Sequence, residues 1–157
     1  MNELWAKVSA REKLVVYGAA VVVVGVVVGL ILGTKSYCET YLGQTVCAGS
    51  LNYFTAENAG LFALLALLAA LATLAIIYTR VASMNIQWPA PYPQVLMIAS
   101  VVTAVCAILI VLMQLMRAGG FGPEPPIFMY VADILAVAGG CFMAYIAYMD
   151  WTASRTA

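Results

Sequence analysis

The sequence predicts an all-α integral membrane protein: a four-transmembrane-helix bundle with N and C termini cytoplasmic and one disulfide-stapled outer loop. Three observations lead there. Of 157 residues, 65% are hydrophobic and 9% charged, with a mean hydropathy of +1.00, far outside the range of a water-soluble domain. Four apolar stretches each reach the ~20 residues that cross a hydrocarbon core. Lysine and arginine are distributed unevenly between the connections, which sets orientation.

The first span covers about 14–32 and follows Lys7, Arg11 and Lys13. A basic flank before an apolar run also fits a signal peptide, but no Ala-x-Ala-like site precedes Cys38. Lys35-Ser36-Tyr37 before that cysteine does not make a lipoprotein box either, so the segment is expected to stay as an anchor. Gly18, Gly25, Gly29 and Gly33 share one face, the last three as a doubled GxxxG. This is the pattern of a glycine zipper, where backbones approach closely because no side chain intervenes.

An outer loop, 34–58, contains Cys38 and Cys47. Outside the cytoplasm a disulfide between them would persist, closing a ten-residue segment with Gly43 placed to turn it. Such a closure is worth on the order of 3 kcal/mol. Tyr37, Tyr41, Tyr53 and Phe54 make the rest of the loop aromatic, and Thr55 or Asn58 can cap the next helix, with Glu57 favourably placed for its dipole.

The second span, about 59–78, aligns Ala59, Ala63, Ala66, Ala70 and Thr73 on one face. A cytoplasmic loop, 80–94, contains Trp88-Pro89-Ala90-Pro91-Tyr92-Pro93 and is expected to be extended, because proline fixes φ and restrains its predecessor. The third span, about 95–116, has a polar face of Ser100, Thr103 and Gln114 around Ala107, expected to act as interhelical glue. A Gly/Pro-rich outer turn, 118–126, leads to the fourth span, about 127–149, where Ala132, Ala136, Gly140 and Ala144 repeat at fourfold spacing. Residues 150–157 form a cytoplasmic tail.

With four spans both termini lie on one side. Lys7, Arg11, Lys13, Arg80 and Arg155 fall there and only Lys35 and Arg117 on the other, which makes the terminal side cytoplasmic. Trp5, Trp88 and Trp151 map to the same interface, the depth indole rings favour.

Asp133 is the one charge deep within a span. An intramembrane carboxylate is costly and is a functional candidate by default. It sits about two turns into the fourth span, on the face of Ala136 and Gly140, with Gln114 and Arg117 at matching depth. One reading makes it a protonatable site in a proton or cation path. The other makes it a hydrogen-bonded structural acid, since below it this span offers only Cys141 and Tyr145.

Composition removes much else. Seven basic residues balance seven acidic ones without a basic run, so nucleic acid is not an expected partner. Histidine is absent, and with it the commonest near-neutral base and the usual haem and zinc ligand. No phosphate loop, nucleophile elbow or metal-ligand cluster is present, so no catalytic residue, cofactor or metal is expected. Cys106 and Cys141 are expected to behave as small apolar side chains.

Size, span count and outer cysteines are shared with membrane thiol oxidoreductases of the DsbB and VKOR type. Their active pair is a Cys-x-x-Cys, whereas eight residues separate Cys38 and Cys47 here and no second outer pair follows. Claudin-type proteins also have a cysteine pair in the first outer loop, but their Trp-containing motif is replaced here by Gly33-Thr34-Lys35-Ser36-Tyr37. Neither family is assigned. The expectation is a non-catalytic subunit, accessory or structural, packing in the plasma (inner) membrane against larger subunits of a complex. A hetero-complex is favoured over a homo-oligomer. Two alternatives stay open: a homo-oligomeric channel or small transporter using Asp133, and a thiol-disulfide oxidoreductase using Cys38 and Cys47.

Overall fold

Ser9 starts the first membrane helix. Its hydroxyl accepts from the Glu12 backbone N–H at 3.2 Å while the Glu12 carboxylate accepts from the Ser9 N–H at 2.9 Å, a capping box that satisfies two otherwise orphaned donors. In this computed structural model, which describes residues 2–41, 44–52, 59–84, 86–118 and 127–156, a short helix α1 (Asn2–Lys7) precedes α2 (Ala10–Leu32). Strands β1 (Thr34–Tyr41) and β2 (Gln44–Asn52) follow, then α3 (Ala59–Val81), α4 (Tyr92–Ala118) and α5 (Ile127–Thr156). The membrane-spanning body is all-helical. Its four helices α2 to α5 are each long and apolar enough to cross a bilayer, making this a multi-pass membrane protein.

The helices close a ring in the order α2, α3, α4, α5, and α5 returns to pack most extensively on α2. Neighbours are antiparallel, so the start of α2 and the end of α5 share one end of the bundle, where Arg11 meets Asp150 at 3.3 Å. Two apolar layers fill the interior. Toward the termini lie Val15, Ala19, Ile77, Leu96, Met143 and Ala147; toward the hairpin lie Val22, Val26, Ala66, Ala107, Ile110 and Ala136. Long side chains such as Leu64, Leu68, Val105 and Ile134 point outward, as lipid-facing positions require when the surrounding solvent is hydrocarbon.

Three helix boundaries and one loop are where the structure departs most from the sequence reading. Helix α2 begins at Ala10 because the capping box lies ahead of the apolar run. Helix α4 begins at Tyr92: the N–H groups of Gln94 and Val95 bond the Pro91 carbonyl at 2.9 and 3.1 Å, and Pro93 fits the first turn, where a missing N–H costs nothing. The extended connection is therefore shorter than expected. Helix α5 continues through the expected tail to Thr156, so that it is about 45 Å long at 1.5 Å per residue.

The fourth difference is the hairpin. The segment read as a loop pairs β1 with β2 antiparallel over Thr34–Asn52, with Ala48 unpaired at a bulge and Cys38 opposite Cys47. Thr34, Tyr37, Thr40, Tyr41, Thr45 and Val46 are residue types that favour strands. Gly43, Tyr53, Phe54, Thr55, Glu57 and Asn58 lie outside the described residues, as do 119–126 between α4 and α5.

Helix α3 ends with Ser83 in the left-handed region at φ 54, where the Met84 N–H reaches back to the Thr79 carbonyl at 3.0 Å. Glycine is the usual occupant of that position. Ser83→Gly is expected to raise stability by ~0.5–1 kcal/mol, read as a higher midpoint of thermal unfolding in detergent; a lower midpoint contradicts it.

Candidate functional site

Among the described residues, the buried carboxylates of the bundle lie at two depths, each with its own polar partners. The deeper group lies between α4 and α5. Asp133 is 8% exposed. Gln114, with its amide nitrogen toward the carboxylate, donates to Asp133 Oδ2 at 2.6 Å and Oδ1 at 3.1 Å. Beside the pair is a cavity of about 190 Å³, lined otherwise by apolar atoms of Val111, Leu115, Met129 and Ile134 and by Tyr130. Asp133 therefore faces protein, as its helical phase required, and meets Gln114, one of the two partners at matching depth. The Arg117 side chain is outside what the structure describes.

Ser100, Thr103 and Thr73 also face inward, fully buried, but their hydroxyls donate to carbonyls of their own helices: Ser100 to Leu96 at 2.8 Å, Thr103 to Ala99 at 2.9 Å and Thr73 to Ala69 at 2.9 Å. The expected interhelical glue on α4 is thus confined to Gln114. A hydroxyl one turn from an i−4 carbonyl reaches it without a partner helix, which explains the difference.

The second group lies at the terminal end and was missed from sequence. The Glu12 side chain is 3% exposed and pairs with Arg80 of α3. Its other oxygen, Oε1, accepts from the Tyr92 hydroxyl of α4 at 2.6 Å. The Arg80 guanidinium also lies 5.4 Å from the Tyr92 ring centroid. With the Ser9 N–H this carboxylate joins the ends of three helices. The S-x-x-E spacing of Ser9 and Glu12 was the available signal; its partners, 68 and 80 residues away, had none.

The small-residue faces lie inside this bundle. A Cβ on Gly18 would stand 2.9 Å from Met143 Cβ and 3.1 Å from the Gly139 carbonyl. One on Gly25 would meet the Ala132 carbonyl and the Ala136 nitrogen, both at 2.9 Å. Gly29, Gly33, Ala132, Ala136 and Gly140 are buried, and Ala144 is half-buried. Gly139, absent from the fourfold stripe, approaches the Gly18 carbonyl, whereas Gly140 turns to Ala104 of α4. The adjacent glycines let α5 come close to two helices at one level.

Among the described residues no group of three His, Cys, Asp or Glu could hold a metal ion, and Cys106 and Cys141 are free thiols, the first buried and the second exposed. Known protein families, curated proteins and solved structures include no match to this chain.

Proposed function

We propose that the protein is a non-catalytic accessory or structural subunit of a larger membrane complex, with both termini cytoplasmic and the hairpin outside. The observation that supports this is how its interior polar groups are used. Glu12 binds Arg80 and Tyr92 and Asp133 binds Gln114, which tie helices to one another, while the buried hydroxyls are spent on carbonyls of their own helices. The surface left over is a set of apolar ridges on every spanning helix, suited to lipid and to neighbouring subunits. A Cys38–Cys47 bridge would staple the hairpin. It is supported by their opposition in the register and by the pairing left once Cys106 and Cys141 are free thiols.

The test is extraction in mild detergent followed by native mass spectrometry. Larger subunits travelling with the chain at fixed stoichiometry are expected; migration alone or only with copies of itself sinks the reading. The cavity beside Asp133 favours a second one, a homo-oligomeric channel or small transporter. Asp133→Asn separates the two in proteoliposomes. On the subunit reading it changes neither ion flux nor the unfolding midpoint by more than the ~1 kcal/mol of one intramembrane hydrogen bond. Lost flux with folding intact favours transport.

A further inference from the structure

At the terminal end, outside both polar groups, α1 walls an apolar groove of about 570 Å³ between α2 and α3, lined by Trp5, Val8, Val16, Leu74, Ile77 and Tyr78 among others. Its volume is within the ~300–1,000 Å³ of sites that hold small ligands, and from Leu74 to Val81 it runs about 10 Å along α3. Charge at its mouth is unbalanced. Of the acidic side chains described there, Glu12 is taken by Arg80 and Asp150 by Arg11. Lys7 and Lys13 have no carboxylate within 4.0 Å among the described residues, and the Lys13 ammonium stands 5.6 Å from the centroid of Trp5, a groove residue. Five basic and three acidic residues occupy this end in all.

We propose that the groove holds one acyl chain of an anionic phospholipid, with Lys13 and Lys7 on its phosphate headgroup. Charge complementarity selects this occupant. An uncharged amphiphile such as a quinone leaves both lysines without a partner, and a protein helix, about 10 Å across, needs a trough that α1 does not close. Trp5 and Tyr78 are amphipathic rings of the kind that sit at headgroup depth, which puts the groove where a lipid chain meets its headgroup.

The full chain carrying Trp88→Phe and Trp151→Phe, so that Trp5 is the one fluorophore of its type, is reconstituted into phosphatidylcholine bilayers. Phosphatidylglycerol or phosphatidylcholine with brominated chains is then titrated in. Trp5 quenching by brominated phosphatidylglycerol is expected to saturate at low mole fraction, ahead of brominated phosphatidylcholine. Lys7→Gln with Lys13→Gln should lower that preference by roughly fivefold per lysine, the worth of one charge at an anionic surface. Leu74→Trp is made in parallel to fill the groove, with native mass spectrometry counting retained lipids; it should release phosphatidylglycerol while both lysines remain. Equal quenching by the two lipids overturns the proposal. So does a preference unchanged in the double lysine variant, or retention of a quinone or a protein in place of the phospholipid.

Discussion

Gly25→Leu is expected to prevent the bundle from closing. Even a methyl group at Gly25 meets backbone atoms of α5 at 2.9 Å, the Ala132 carbonyl and the Ala136 nitrogen. Those atoms belong to a regular helix and cannot rotate aside as a side chain tip would. Relief requires α2 and α5 to separate along their shared face, which gives up the dispersion contacts on which helix association in lipid depends. Overpacking a core costs ~1–3 kcal/mol when side chains can adjust; here the loss should be at the top of that range or beyond it. The next residue supplies the control. Val24 is 53% exposed, and Val24→Leu is expected to leave the unfolding midpoint within error. Unfolding in mixed micelles, followed by helical circular dichroism, checks both, and equal stability of the two variants would falsify the packing account.

Glu12→Ala should produce the second large loss. It removes the carboxylate that Arg80, the Tyr92 hydroxyl and the Ser9 N–H all address, and so loosens three helix ends at once. Breaking a buried pair from one side costs ~3–5 kcal/mol. The lower figure applies, because the Arg80 side chain is 41% exposed and can turn to water. Glu12→Gln, which still accepts hydrogen bonds, should recover part of the loss. Asp150→Ala removes the exposed pair at the same end, 3.3 Å from Arg11, and should cost less than ~1 kcal/mol. If Asp150→Ala and Glu12→Ala shift the midpoint equally, Glu12 is not the clasp described.

The spans and their inward faces were legible because apolar length and helical spacing are both written into single segments. Ala59, Ala63, Ala66, Ala70 and Thr73 recur at helical spacing, and all are buried. Asp133 was legible for the same reason: a carboxylate on the face of Ala136 has one direction in which lipid is absent. What stayed hidden was pairing between segments. Nothing local to Arg80 or Tyr92 points to Glu12, since charges near a helix end ordinarily reach water. The hairpin was hidden differently. Its strand-favouring residues lie in a stretch without strict alternation, interrupted by Gly43 and Gly49. At Ser100 and Thr103 the burial was readable but the choice of acceptor was not, since an i−4 carbonyl and a neighbouring helix lie on the same side.

The most extensive helix contact joins the first spanning helix to the last, and this sets the order of events at the ribosome. When α2 enters the bilayer its glycine face has no mate, because Ala132 and Ala136 lie about a hundred residues further along the chain. At ~5–20 residues per second, α2 waits roughly 5–20 s with a bare, adhesive backbone turned toward whatever helix drifts past. Chains released before α5 is made keep that face bare for good, which makes them ready substrates for membrane quality control.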